Sequence, residues 1–212
     1  MSSSKEPHEH LDHLDRLNLR SGLREKLVAI REAIREDFAF VGRVAVALYD
    51  ERTQRLKTFL HSSGDDRPLD NYETALAAAP SLLELLENGR ARVLNDLSVL
   101  DGGEHPHTRA LRDQGYASSY TLPFYFNGAF EAFVFFNSYR RHVFTPRALR
   151  ALDTYGHLIG CAVLCDLQPV RTLLAATRTT EALPGRGDRT RIAVQHHRIQ
   201  AADVHAQFQR RG

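Results

Sequence analysis

The side chains best suited to chemistry in this chain are its 11 histidines and its two cysteines, and neither set has the spacing of a known reaction centre. His105 and His107 flank Pro106 at the end of a stretch, Val99 to His107, that reads as a loop containing Gly102 and Gly103. Imidazole is a common axial ligand of haem and a common metal ligand, so the pair is a candidate ligand site, set against the plainer reading of surface loop histidines. His8, His10 and His13 could coordinate a metal if helical, but their polar, acidic N-terminal stretch reads first as a solvated run, and His196, His197 and His205 in the basic C-terminal one have no metal-ligand spacing. Cys161 and Cys165 are four apart in a helical pattern, hence on one helix face, and read as small core or helix-interface residues ahead of a redox or metal role. The chain lacks His-Glu-x-x-His, Gly-x-Ser-x-Gly, Cys-x-x-Cys and a Gly-rich phosphate loop. No catalytic residue, metal site or cofactor is assigned.

The elements that would position a site follow from periodicity. Leu23, Leu27, Ile30, Ile34 and Phe38 recur every three or four residues, the stripe of an amphipathic helix. A weaker stripe, Leu11, Leu14 and Leu17, precedes it across Ser21-Gly22. Val41 to Tyr49 and Leu56 to His61 read as two strands of a hairpin around a polar turn. Asn71 to Ala79 and Ser81 to Asn88 read as short helices broken at Pro80, the second capped by Ser81 and closed by Gly89. Arg92 to Leu94 reads as a short strand and Thr108 to Gln114 as a short helix. Ser119 to Phe126 and Ala129 to Ser138 are aromatic-rich runs on either side of Asn127-Gly128, a two-residue hairpin signal because both turn positions favour positive φ. Pro123 has no N–H to donate and should sit at an edge, a bulge or an unpaired position. Thr145-Pro146 opens a helix carrying Leu149, Leu152, Gly156, Ile159 and Val163, which should run to about Leu167 and kink or end at Pro169. Hairpins demand an antiparallel sheet with a face for the helices to cover, so the fold class is α+β, a central sheet of five to six strands backed by long first and last helices.

At 212 residues, 42% hydrophobic and 25% charged, the chain supports one folded domain. No apolar run approaches the ~20 residues that span a bilayer, and the N-terminus lacks an apolar signal core. With only two cysteines, a reducing, cytoplasmic setting and no membrane association are expected. Arg171 to Gly212 holds eight arginines against three acids, Glu181, Asp188 and Asp203. No aromatic residue interleaves with these arginines before Phe208, so a solvated tail is favoured over nucleic-acid binding. The expected divisions are a polar extension over 1–20, the domain over 21–168, a helical connector over 169–183 and a disordered basic tail over 184–212.

The run Gly115-Tyr-Ala-Ser118-Ser-Tyr-Thr-Leu-Pro123 followed by Gly128, with Asn95-Asp96 after a short strand and Phe144-Thr145 before the closing helix, resembles the GAF family across about Asp37 to Leu167. Ala132 stands where the family usually has a glycine, and the match over Tyr139 to His142 is loose. The resemblance implies a sheet whose face and overlying segments enclose a pocket. It also implies first and last helices that pair with those of a second copy, through Leu23, Leu27, Ile30 and Ile34 and through Leu149, Leu152, Ile159 and Val163. Alternation places Tyr120, Leu122, Phe124 and Phe126 on one face of the first aromatic run and Phe133, Phe135 and Asn137 on one face of the second; the sequence leaves open which faces meet the pocket. Asn137 among phenylalanines wants a polar partner or lies solvated at a strand end. Asp96, His105, His107, Tyr116 and Ser118 complete the candidate pocket, with a turn or helix cap as the plainer role for Asp96.

Ligands across that family include cyclic nucleotides, linear tetrapyrroles, haem and small metabolites. The absence of cysteine before Gly160 disfavours a covalent tetrapyrrole and the thiolate chemistry of a free methionine sulfoxide reductase. The Asn-Lys-x-x-x-Phe…Asp-Glu pattern that accompanies cyclic GMP binding is missing. The expected function is therefore a non-catalytic sensor: a homodimer that binds a small molecule or partner and signals through its terminal helices to a downstream effector. Relatives of this kind often precede a cyclic-di-GMP phosphodiesterase or a diguanylate cyclase, and no such module follows Arg171 to Thr180, so a truncated or degenerate signalling protein is expected. A thiol-based reductase and a ligand-free dimerisation scaffold are the competing readings.

Overall fold

The computed structural model describes residues 13–63, 73–100 and 106–181. After a 3₁₀ turn, His13–Asn18, come α1 (Leu23–Asp37), β1 (Arg43–Asp50), β2 (Arg55–Ser63), β3 (Glu73–Ala75), α2 (Pro80–Asn88), β4 (Arg92–Leu94), α3 (Pro106–Asp113), β5 (Ser118–Phe126), β6 (Ala129–Ser138) and α4 (Pro146–Glu181). The strands form one six-stranded sheet in the order β3-β2-β1-β6-β5-β4, and every neighbouring pair is antiparallel. Two compact units divide the chain, Met1–Gly160 and Cys161–Gly212; the first holds the sheet and the second continues α4.

The β5–β6 hairpin forms as the Asn-Gly signal requires, with φ of 49° at Asn127 and 81° at Gly128. Its register puts Tyr120, Leu122 and Phe124 opposite Phe136, Val134 and Ala132. These six point to one side of the sheet together with Val44 and Val46 of β1. We call this the outer face, because the first turns of α4 lie on it. A side chain at Gly160 would meet the Phe124 ring at 2.3 Å, and one at Gly156 would meet Leu122 at 2.3 Å, so the two glycines let helix and strand approach closely. The Tyr120 hydroxyl donates to the Asp153 carboxylate of α4. Burial, and then that carboxylate, holds the tyrosine pKa above its ordinary value.

α1 reaches the same side. Its C-terminal end connects to α4 through edge contacts of Phe38 with Phe40 and of Phe40 with Phe144, and Phe144 meets Tyr120. Leu23, Leu27, Ile30 and Ile34 are buried in the single chain, each of the last three exposing 2% or less. This corrects the expected dimer stripe: the residues are core, since an apolar row beside an uncovered sheet face is buried first within its own chain. Leu152, Ile159 and Val163 are likewise buried, and Leu149 is half-buried.

The inner face carries Arg43, Ala45 and Ala47 of β1, paired with Asn137, Phe135 and Phe133 of β6. Its apolar part packs with Leu56, with Leu76 and Ala79, and with Leu82 and Leu85 of α2.

Three further expectations change. Asn71 to Ala79 reads as a helix in sequence, but of its described residues Glu73–Ala75 pairs with β2 and Leu76–Ala78 makes one 3₁₀ turn, because the edge of β2 offers backbone partners. Pro80 starts α2, so Ser81 is inside the helix rather than its cap. α4 continues through Pro169 to Glu181 instead of ending near Leu167. Pro123 behaves as required: β4 pairs only with Ser119 to Thr121, and a bulge follows between Phe124 and Tyr125. Thr145 caps α4, its Oγ1 accepting from the Ala148 N–H at 3.3 Å. No helix among the described residues is long and apolar enough to cross a membrane.

The Gly160 contact yields a test. Gly160→Ala should lower stability by about 1–2 kcal/mol, because overpacking against an aromatic ring outweighs the gain in helix propensity. The exposed Cys161→Ala should stay within about 0.5 kcal/mol; urea titration of both variants reads the difference.

Candidate functional site

A polar cluster sits at one end of the inner face. Arg43, only 2% exposed, opens β1 and alternates inward with Ala45 and Ala47. Its Nη1 donates to Asn137 Oδ1 at 2.9 Å, and Asn137 Nδ2 donates to Ser119 Oγ at 2.9 Å. Arg43, Asn137 and Ser119 lie on three adjacent strands, brought level by the β1–β6 and β5–β6 registers. No carboxylate among the described residues pairs with Arg43. Burial lowers its pKa to about 10, opposed by the hydroxyls of Tyr116 and Tyr139. These two rings stack at 4.5 Å, and the Tyr139 hydroxyl donates to that of Tyr116 at 3.2 Å. Tyr139 lies across Gly42, where a Cβ would meet its ring at 2.7 Å.

A recess of about 440 Å³ opens beside the stack, lined by Arg31 and Arg35 of α1, by Ala39, Phe40 and Gly42, and by Tyr139 and Arg140 after β6. Arg35 donates to the Val41 carbonyl at 2.8 Å and Arg31, more weakly, to that of Gly42 at 3.5 Å. Burial and the Arg35 charge lower the pKa of Arg31, whose Nε is buried without a hydrogen-bond partner.

The structure divides the residues singled out from sequence. Asn137 has the partners its burial requires, so the strand-end alternative falls. Tyr116 lies in the tyrosine stack nearby. Phe133 and Phe135 share the inner face but belong to the apolar core with α2. Tyr120, Leu122 and Phe124 are on the outer face against α4, which corrects their place in the pocket: they and the β6 candidates differ in parity across the hairpin and point to opposite sides. Phe126 lies past the bulge and is 39% exposed. Ser118 is buried and donates to the Arg140 carbonyl at 2.6 Å. Asp96 caps a turn, accepting from the Ser98 N–H and hydroxyl at 2.9 and 2.7 Å, and meets Arg141 at 3.3 Å. The Ser98 bonds hold its carboxyl below the usual pKa. His107 falls in the first turn of α3, and His105 lies outside the described residues. Cys161 and Cys165 are exposed on α4, contrary to the core reading; one helix face points them away from the buried Ile159, Val163 and Leu164.

Sequence reading missed Arg43, Arg31, Arg35 and Tyr139. The first left a trace: Val-Gly-Arg-Val-Ala-Val-Ala places a charge on the same alternate face as two buried alanines.

No family model matches the chain, and no curated protein does. Among solved structures, the GAF domain of an Acinetobacter phosphoenolpyruvate-protein phosphotransferase is 13% identical. It aligns over 76% of this chain and 92% of that chain at a TM-score of 0.55. The fold is that of a GAF domain. The phycoerythrobilin-bound GAF domain of a cyanobacterial phytochrome is similar at 16% identity, over 71% of this chain and 90% of that chain, TM-score 0.53. A type II free methionine-R-sulfoxide reductase from Thermoplasma acidophilum is similar at 15% identity, over 67% and 92%, TM-score 0.50. At these identities the likeness is one of fold, a scaffold found in an enzyme as well as in a chromophore-bound module.

Removing the amide partner isolates the Arg43 charge. Asn137→Ala should cost about 3 kcal/mol in chemical denaturation, the penalty of leaving a buried cation without its acceptor. Arg43→Met combined with Asn137→Leu should recover most of that loss, since a neutral pair has no charge to desolvate.

Proposed function

We propose that this GAF domain is a non-catalytic sensory module that binds a small molecule at the polar end of its inner sheet face and passes the change to α4. The observation that carries the reading is Arg43: a cation 2% exposed, held by one neutral amide. Burial lowers its pKa to about 10, so its charge is buried at an energetic cost. A ligand that brings an acceptor or a negative charge to Arg43 recovers that energy on binding. Asn137, held by Ser119, orients the guanidinium for it.

Output through α4 is supported by the helix itself, which is anchored to the sheet at Asp153, Gly156 and Gly160 and runs on to Glu181. Pairing with a second copy through either predicted stripe finds no support, since Leu27, Ile30 and Ile34 of α1 and Leu152, Ile159 and Val163 of α4 are all buried in their own chain. A ligand moves α4 only through a difference in affinity between two placements of the helix. The thiol-reductase reading finds less support, with both cysteines exposed on α4.

Native mass spectrometry of the full chain, purified without denaturant, tests the proposal. The wild type should carry a small-molecule mass increment that Arg43→Met loses while keeping its circular dichroism spectrum. A wild type at its bare mass, even after incubation with a small-molecule extract of its host, would leave only a scaffold.

A further inference from the structure

We propose a second binding site, separate from Arg43: the recess beside α1 takes a small molecule that carries an oxyanion on a flat apolar body. Arg31 and Arg35 are one helical turn apart on α1, and both line the recess with Arg140. Like charges at this spacing repel, and Arg31 feels Arg35 directly. Among the described residues no acid lines the recess and no carboxylate forms an ion pair with any of the three arginines, and the influence of Glu32 on Arg31 is smaller than that of Arg35. Two of them already hold backbone carbonyls at the α1–β1 connection. Those bonds use one N–H from each five-donor fork and fix where the remaining donors lie. The Arg31 Nε is buried without a partner, so the anion contact falls to the terminal N–H groups of the three forks. Guanidinium forks of this kind match phosphate and carboxylate oxygens.

The rings specify the rest of the ligand. Tyr139 is 44% exposed at the recess yet immobilised from behind by its stack on Tyr116 and by its seat over Gly42. Phe40 is held by edge contacts with Phe38 and Phe144. Two fixed rings near a triple positive charge suit a planar apolar group bearing a negative one, and about 440 Å³ lies within the range of small-molecule sites. Nothing here depends on the inner-face ligand, so failure of one site leaves the other standing.

Calorimetric titration of the full chain with phenyl phosphate, benzoate and inorganic phosphate tests the assignment. Phenyl phosphate or benzoate should bind, the better of the two naming the anion, and inorganic phosphate should bind about tenfold more weakly for want of the ring. Arg35→Gln and Arg140→Gln, at exposed side chains, should each weaken binding by about tenfold through loss of a charged hydrogen bond. Tyr139→Leu should bring phenyl phosphate down to the level of inorganic phosphate, and Cys161→Ala, at an exposed position outside the recess lining, should leave all three unchanged. No aryl anion bound at about 10 mM, equal affinity for inorganic phosphate, or unaltered binding in Arg35→Gln and Arg140→Gln would each overturn it.

Discussion

The left-handed backbone of Asn127 and Gly128 sets the register of β5 and β6, and that register constrains every layer built on them. In a sheet with side chains alternating at a period of two, a slip of one residue would exchange the two faces. Here it would turn Tyr120, Leu122 and Phe124 away from α4 and would separate Ser119 from Asn137. β6 also pairs with β1, so the same register brings Arg43 level with Asn137 at the far end of the sheet. A two-residue turn thereby fixes the outer helical packing and the inner polar cluster together.

The two faces use different physics. The outer face excludes water with aromatic and branched side chains and brings its helix close through glycines at 156 and 160. The inner face divides into an apolar portion under α2 and a polar end where three strands each supply one hydrogen-bonding side chain. In a low-dielectric interior such bonds are stronger than in water, and so is the cost of any group left incomplete. Arg43 is the incomplete member, and the tyrosine stack stands between it and the arginines of α1, favouring charge on Arg31 and Arg43 alike.

Much of the architecture was legible because its signals are local. The Asn-Gly corner, the Thr145-Pro146 helix start and the α1 stripe each depend on a few adjacent residues. The misreadings lie where tertiary pairing decided. Glu73–Ala75 became a strand because the edge of β2 lay open to it. Leu27, Ile30 and Ile34 have the spacing of an interface and of a core alike, and only the position of the sheet separates the two. Asn137 was legible as a site residue because a polar side chain among phenylalanines is anomalous in any context. Arg43 looked like an ordinary charge at a strand end; its meaning comes from a partner 94 residues away. The arginines of α1 occupy the polar side of an amphipathic helix, where charge is unremarked until a recess is found beside it.

The passage of α4 through Pro169 alters what kind of rod the helix is. An α-helix transmits torque because each carbonyl is tied to the N–H four residues on. Proline has no such N–H, so the carbonyl of Cys165 lacks its usual tie. Bending stiffness is lowest where a rung of the ladder is absent. Load applied toward Glu181 therefore concentrates its deflection within one turn instead of spreading it over 36 residues.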